Sequence, residues 1–392
     1  MATIKTKQQI YDEIVLDLEN KLGITLSTFG RVLLRILALV YAGALKLVYL
    51  SIGFVQKNVA PDLADPEEKG GTLDRFGLLK LGRRRFPATQ AQYTATVTGT
   101  TAAVIPAGTT FKSDSNALNA GFLFILDNAY TMPAGTGTIT IRALTAGSES
   151  RLVVGNTLTA TSPINDVNRG ITVATETVIP QAAETVEEYR TKIIQAYRIE
   201  PQGGSKGDYR LWGYDAQGTR EIYPYASSGN NNEVDIYVEA TIADSTDGRG
   251  TPTSAILTDV EDVIEASPDV TLTLAERSRR PLGVFLVNVY PIVLREIDIN
   301  IASFADLTAG KQATILAAIT EALYDVRPFI AGIDIVAERN DIFDTNRIGA
   351  IVLSALAGSS FGTITMRVDG VIMSSYQFDN GEIPYLDTIT YV

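Results

Sequence analysis

The sequence of 392 residues contains no cysteine and no histidine, and it has a single tryptophan. Without cysteine the chain can form neither a disulfide nor a thiolate metal site. Without histidine it lacks the commonest general base and metal ligand, which excludes Ser-His and Cys-His nucleophile systems and histidine zinc sites. Only chemistry carried by carboxylates is left. We therefore predict no cofactor and no metal site.

Basic residues are also scarce, with 33 against 45 acidic residues and a net charge of −12. Sequence-independent binding along nucleic acid needs a basic surface, so no nucleic-acid partner is expected. The one basic triplet, Arg83 to Arg85, precedes Pro87, and we interpret it as a solvated turn or a salt-bridge partner for another subunit. The first residues lack the apolar core of a signal peptide, which predicts synthesis in the cytoplasm.

Motifs of known enzymes are missing or incomplete. Gly213 to Gly218 has the spacing of a phosphate loop, but Thr219 stands where lysine is required. Four carboxylates could be imagined as a glycosidase pair, namely Glu184, Glu187, Glu188 and Asp208. Carboxylates at predicted helix starts are also favoured by the helix dipole, and we prefer this explanation. The prediction is no enzyme, no catalytic residue and no small-molecule substrate, with a glycan hydrolase as the alternative.

A long apolar stretch lies near the N-terminus. Ile10, Ile14, Leu18 and Leu22 form one face of a first helix that Gly23 should interrupt, and a second helix should run from Ser27 or Thr28 to about Val59. On a helical wheel the second helix has one narrow stripe of charged and small residues, the only part expected to face water. The stripe consists of Arg31, Arg35, Ala38, Ala42, Lys46, Tyr49, Gly53 and Lys57.

Three interpretations of this helix compete. A membrane span needs roughly 20 mostly apolar residues, whereas Arg35, Lys46 and Lys57 divide this helix into shorter runs. Burial within its own chain would need more helices than this end of the chain offers. We therefore favour a helical bundle between subunits, without a membrane span. The predicted partner-binding residues are Leu33, Leu37, Val40, Ala44, Leu47 and Leu50.

The rest of the chain alternates β and α patterns. Tyr93, Ala95 and Val97 alternate with threonines, and turn signals recur every ten residues or so, which predicts a small sandwich or barrel-like domain. The run FLFIL at 122–126 is expected to be a strand covered on both sides. Asp244 to Gly250 is expected to be a turn and not a calcium loop.

Helix caps mark the second half of the sequence. Thr185 with Glu188 fits a capping box, Ser205 with Asp208 a weaker one, and Thr251 followed by Pro252 a third helix start. Thr308 should cap a further helix, and another is predicted over 337–356. The predicted fold class is multidomain α+β. Its parts are N-terminal helices and a connector over 1–85, a β-sandwich-like domain over 86–180, and two small α+β domains over 181–290 and 291–392.

Several short motifs occur in a consistent order between about residues 60 and 300. They are TLDRFG at 72–77, RFPAT at 85–89, IPAGTTF at 105–111, Tyr189-Arg190, Pro201-x-Gly203-Gly204, Asp208-Tyr209, Trp212, Gly218 and RPLG at 280–283. In this order the motifs resemble the baseplate J-like family of contractile phage tails and related injection systems.

The resemblance implies a structural role in the tail baseplate of the virion. It implies a wedge subunit whose partners are other baseplate wedge proteins and copies of itself, joined through the N-terminal helices and by C-terminal contacts between wedges. A subunit that rearranges on triggering needs hinges, and the candidates are Asp62 to Gly71, Gln181 to Ala183 and Asp244 to Gly250. A receptor-binding module is a further alternative.

Overall fold

The computed structural model describes residues 5–23, 31–133, 135–305, 307–356 and 360–392. The chain forms two compact units: the residues up to Arg84 together with Val186–Tyr197, and Arg85–Thr185 together with Arg198–Val392. The predicted multidomain α+β class is confirmed. The division into four domains stays a prediction. Within it, the segment Val186–Tyr197 was assigned to the 181–290 domain but lies with the N-terminal residues.

The first unit is helical. Its helices are α1 (Lys7–Leu22), α2 (Val32–Lys57), α3 (Leu73–Lys80) and α4 (Val186–Arg198), with a 3-10 turn at Glu67–Lys69. A capping box between Thr6 and Gln9 begins α1. Gly23 ends α1 at the predicted interruption. Its φ of 62° is in the left-handed region, which glycine adopts at little cost. The predicted start of α2 at Ser27 or Thr28 lies outside the described residues.

Residues 92–178 form an antiparallel barrel. Its strands are β1 (Gln92–Gly99), β2 (Val104–Ile105), β3 (Thr110–Ser113), β4 (Leu123–Leu126), β5 (Tyr130–Thr131), β6 (Gly135–Ala143), β7 (Thr157–Ala160) and β8 (Gly170–Val178). Six of them close in the order β1-β6-β4-β3-β7-β8, while β2 and β5 pair separately. The β1–β8 register shifts twice, and such bulges bend a sheet enough to close it. The domain predicted as sandwich-like or barrel-like is therefore a closed barrel.

Alternation along β1 builds the barrel core as predicted. Tyr93, Ala95 and Val97 are fully buried, while the threonines between them are partly exposed. Burial raises the pKa of the Tyr93 hydroxyl, which accepts from Leu152 N at 2.7 Å and donates to Glu176 at 3.2 Å. The expected two-sided cover of FLFIL is wrong, because Leu123 is exposed and only one side of β4 faces the core.

A three-stranded sheet follows the barrel. The elements are α5 (Lys206–Gly213), β9 (Thr219–Ala226), β10 (Glu233–Ala240), α6 (Ser254–Glu265), α7 (Leu274–Arg277) and β11 (Leu286–Pro291), with sheet order β11-β10-β9. Thr253 and not Thr251 caps α6, because its side chain accepts from Ile256 N. Asp244 to Gly250 is a turn, as predicted, in which Asp247 accepts from Arg249 N at 2.8 Å.

The chain ends with a four-stranded sheet covered by helices. The elements are β12 (Val293–Ile301), α8 (Ala309–Tyr324), β13 (Ile342–Asp344), α9 (Thr345–Ala355), β14 (Ile364–Val368), β15 (Val371–Met373), β16 (Ser375–Gln377) and β17 (Glu382–Tyr391), with sheet order β15-β14-β12-β17. Thr308 caps α8 as predicted. The helix predicted over 337–356 begins only at Thr345, because Asp344 caps it and residues 342–344 pair with β16.

Candidate interaction surface

The predicted partner-binding residues lie on the exposed side of α2. We call this side the outer face; it comprises Leu33, Leu37, Val40, Ala44, Leu47 and Leu50, all of them exposed. Leu33 is 70% exposed and Leu47 is 68% exposed. Within α2 the buried residues are Ala38 and Ala42. The structure therefore brings the six predicted residues together on one uncovered apolar surface.

The opposite side of α2 is covered by α1. Ala38 and Ala42 are buried there together with Ile10 of α1. A Cβ added to Gly43 would lie 3.9 Å from Lys7 Cε, which is an ordinary contact distance. The expectation that this stripe faces water is wrong for Ala38 and Ala42, whereas Arg35 in the same stripe is exposed. The small side chains of the stripe leave room for a neighbouring helix, and so α1 takes the place of solvent.

Every charged side chain within α2 makes a hydrogen bond or an ion pair with another residue of this chain. Arg35 Nε donates to Tyr11 OH at 3.3 Å, and Lys46 Nζ donates to the carbonyl oxygen of Lys5 at 3.0 Å. Lys57 Nζ donates to both carboxylate oxygens of Asp65 at 2.8 Å. Arg35, Lys46 and Lys57 are the only charged residues between Val32 and Lys57. Since all three bond to residues of this chain, the outer face carries no charge.

The C-terminal end of α2 is tied to the start of α3. Asn58 Oδ1 accepts from Asp65 N at 3.2 Å and from Thr72 N at 3.1 Å. Thr72 Oγ1 donates to the Asn58 carbonyl at 2.8 Å. The hydrogen bond from Lys57 also lowers the pKa of Asp65. The connector, which contains the predicted hinge Asp62 to Gly71, is thus held at both ends by hydrogen bonds.

Two of the sequence motifs meet in the first unit. Gly77, from TLDRFG, lies so close to Tyr189 that an added Cβ would fall 1.7 Å from the tyrosine oxygen. The Tyr189 hydroxyl donates to the Arg83 carbonyl at 2.7 Å. Arg190 Nη1 donates to the carbonyl oxygens of Pro61 at 2.7 Å and Ala64 at 2.8 Å. The motifs are therefore explained by the packing of α4 on α3 and the connector.

The second predicted hinge is also bonded on several sides. Gln181 N donates to Thr89 Oγ1 at 2.7 Å, and Ala182 N donates to Asp244 Oδ1 at 2.6 Å. Gln217 Nε2 reaches the carbonyl oxygens of Pro87 at 2.8 Å and Ala182 at 3.1 Å. These bonds join the barrel to the sheet that follows it.

The carboxylates considered for catalysis have structural partners. Asp208 accepts from Gly204 N at 2.6 Å, from Ser205 N at 2.9 Å and from Gln202 N at 3.0 Å, and it completes the capping box of α5. Glu187 pairs with Arg190 at 3.0 Å within α4. Glu184 Oε2 accepts from Phe86 N at 3.2 Å. The helix-start explanation of Asp208 is confirmed. Arg84 of the basic triplet pairs with Glu67 at 3.1 Å.

Sequence reasoning missed one acidic cluster in the last sheet. Carboxylate oxygens of Glu296, Asp298 and Asp387 lie within 4.8 Å of one another. Tyr385 OH donates to Glu296 at 3.0 Å, and the Thr388 hydroxyl donates to Asp298. The cluster forms because β12 and β17 are parallel neighbours, although about 90 residues separate them.

By length and composition alone, α2 is also apolar enough to cross a membrane. A span made of α2 by itself would carry Arg35 and Lys46 into the hydrocarbon, which is costly. Arg35 bonds to Tyr11 of α1 and Lys46 bonds to Lys5 just before α1, so the outer face itself carries no charged group. The geometry suits an apolar partner that covers one side of the helix.

Comparison with known proteins links this chain to phage baseplates. Residues 94–196 match the Baseplate J-like protein barrel domain. The chain is 29% identical over 179 residues to baseplate protein gp47 of Escherichia phage Mu, an alignment that covers 44% of this chain and 45% of that protein. It thus spans about half the length of that relative. A chain in the cryo-EM structure of the anti-feeding prophage baseplate is 10% identical, with a TM-score of 0.45 over 96% of this chain and 90% of that one.

Proposed function

We propose that this chain is a structural wedge subunit of the baseplate of a contractile phage tail or related injection system. The match of residues 94–196 to the baseplate J-like barrel domain and the 29% identity to a phage baseplate protein support this proposal, as does the order of the sequence motifs. Its work is mechanical. It holds the baseplate together in the virion and rearranges when the tail is triggered. The observation that carries this proposal is the outer face of α2.

The outer face has the properties of an interface buried in an assembly. Burial of apolar surface stabilises association by about 25 cal/mol per Å². Monomeric proteins rarely leave a large contiguous apolar surface in water, and in this chain such a surface extends along a helix of 26 residues. Because the outer face carries no charge, its burial leaves no ion without a partner.

The proposed occupant is a set of apolar helices from other baseplate wedge subunits, with second copies of this chain among them. Helices with uncharged apolar faces pack by interdigitating their side chains. The resemblance adds that the last domain joins neighbouring wedges into a ring. In this arrangement α1 stays on its own side of α2, and the partners fill the outer face.

A triple substitution on the outer face tests the proposal. Leu37→Gln, Val40→Gln and Leu47→Gln together should leave the chain folded by circular dichroism, because these side chains are exposed. We expect loss of co-purification with the other baseplate proteins of the same tail, and loss of self-association by light scattering. The matched control changes three exposed apolar residues elsewhere, with Leu316→Gln, Leu353→Gln and Val371→Gln, and should assemble normally. Normal assembly of the outer-face variant would refute the proposal.

Two further readouts separate the alternatives. Flotation of the wild-type protein with neutral liposomes, abolished by the outer-face substitutions, would identify the occupant as lipid. Turnover of peptidoglycan that disappears in Glu188→Gln or Asp208→Asn would indicate a hydrolase, and affinity of the isolated chain for the host surface would indicate a receptor-binding module. The structural role predicts none of these three results.

A further inference from the structure

Within the second unit, two regions are joined by a single residue. The middle region (Lys206–Pro291) ends with β11, and the C-terminal region (Val293–Val392) begins with β12, so only Ile292 lies between them. β11 pairs with β10, while β12 pairs with β14 and β17. Each strand therefore belongs to a different sheet, and Ile292 is the covalent link between the two.

A buried carboxylate of the middle region binds an arginine of the C-terminal region. Glu239, on β10, is 1% exposed. Arg327 binds it in a bidentate manner, with Nε 3.0 Å from Oε2 and Nη2 2.8 Å from Oε1. Arg220 Nη1 at 2.9 Å and Tyr223 OH at 2.7 Å complete the donors around this carboxylate. Arg220 also donates to the carbonyl oxygen of Tyr324 in the C-terminal region at 3.2 Å.

A second ion pair crosses in the opposite sense, from an arginine of the middle region to a carboxylate of the C-terminal region. Arg210, on α5, has a side chain that is only 4% exposed, and its Nη1 lies 2.6 Å from Asp334 Oδ1. Asp334 Oδ2 accepts from Ile330 N at 2.6 Å. The Asp334 carboxylate is thus positioned by its own region and paired with the other one.

Apolar side chains also pack between the two regions. One buried cluster contains Tyr223 from the middle region together with Ile330 and Ile383 from the C-terminal region, and it includes Ile292 itself. Arg249 of the middle region also lies over the Tyr385 ring of the C-terminal region, at 4.1 Å from its centroid.

We propose that the Glu239–Arg327 and Arg210–Asp334 pairs form a releasable latch, and that the two regions turn about Ile292 when the latch opens. Bidentate and buried ion pairs demand one geometry, so the closed arrangement is well defined. Their net contribution to stability is small, because water solvates the separated charges well. An interface held by such ion pairs therefore has one well-defined closed geometry, and opening it costs little because water solvates the separated charges. The inference is independent of the proposed baseplate role.

The absence of cysteine makes the inference straightforward to test. Leu274→Cys in the middle region and Val371→Cys in the C-terminal region place spin labels at positions that are 76% and 57% exposed. Electron–electron double resonance on the full-length chain then reports the distribution of distances between the two regions.

In the parent chain we expect one narrow distribution. Glu239→Gln and Asp334→Asn remove one carboxylate charge each and keep the side-chain shape. Each should add a second, shifted distance population, and the two together should make it dominant. Asp127→Asn is the matched control, because Asp127 also holds an arginine in a bidentate manner, Arg142 at 2.8 and 2.9 Å, but within the barrel. The control should leave the distribution narrow.

A narrow, unshifted distribution in the folded double variant would overturn the latch. If the substitutions unfold the chain, urea titration of the labelled parent chain tests the latch instead. During this titration the distance distribution should broaden before the circular dichroism signal is lost. Simultaneous loss of both signals would show that the regions never separate while folded, and the proposal would fail.

Discussion

Gly77 is a position where a single added carbon should matter. In Gly77→Ala the new Cβ would fall 1.7 Å from the Tyr189 oxygen, so the tyrosine must move and lose its bond to the Arg83 carbonyl. Overpacking of this kind costs about 1–3 kcal/mol. We expect a loss of that size in the free energy of unfolding by denaturant titration.

The matched control for Gly77 is Gly43→Ala in α2, where the added Cβ would make only an ordinary contact with Lys7. Alanine also has the higher helix propensity, so this variant should be at least as stable as the parent chain. Equal stability of Gly77→Ala and the parent chain would show that α4 does not pack on α3 as described.

The buried hydroxyl of Tyr93 should make the barrel less stable at alkaline pH. Burial raises its pKa above the ordinary 10.0, so the folded state keeps the proton longer than the unfolded state. The contribution of this group is therefore complete below pH 10.0 and is lost as the pH rises toward the folded pKa. At neutral pH, Tyr93→Phe should destabilise the barrel by about 1–3 kcal/mol, because it leaves Leu152 N without its acceptor.

The measurement for Tyr93 is the difference in unfolding free energy between the parent chain and the variant, followed across pH. This difference should shrink above pH 10.0. Tyr41→Phe, at an exposed tyrosine, is the control and should show little difference at any pH. A difference for Tyr93→Phe that stays constant into the alkaline range would contradict the assignment.

The pairing of α1 with α2 depends on small residues in one stripe. Ala42 is fully buried against α1, whereas Ala44, two residues later, lies on the outer face. Ala42→Leu should therefore push α1 away and destabilise the helix pair by about 1–3 kcal/mol. Ala44→Leu makes the same chemical change in solvent and should leave thermal unfolding of the isolated chain nearly unchanged. Equal effects of the two substitutions would refute the observed orientation of α2.

At the scale of the whole chain, the charged residues lie outside the proposed assembly surface. The chain carries a net charge of −12, yet its proposed assembly surface carries none. Salt screens exposed charges strongly but has little effect on apolar contact. Assembly through the outer face should therefore survive a rise from about 0.1 M to about 1 M sodium chloride. Sedimentation velocity at both salt concentrations checks this, and dissociation at high salt would indicate an electrostatic interface instead.

The sequence predicted the elements whose signals are local. Thr308 was identified as a helix cap, and Ser205 with Asp208 as a capping box, because a cap involves only a few neighbouring residues. The alternation through Tyr93, Ala95 and Val97 predicted a one-sided strand because strand side chains alternate with a period of two. The prediction over 337–356 was wrong where a short strand, Ile342–Asp344, takes its partner from β16, more than 30 residues away.

Composition and local pattern by themselves determined that this chain has no histidine or cysteine chemistry, that it is α+β, and that its N-terminal helix is apolar over most of its surface. Only the tertiary structure decided which side of α2 is covered, that α4 packs with the N-terminal residues, and that Arg327 reaches Glu239. The physical reason is the same in each case. A side chain's own character shows whether it prefers water, but the residue that replaces water comes from a distant part of the chain.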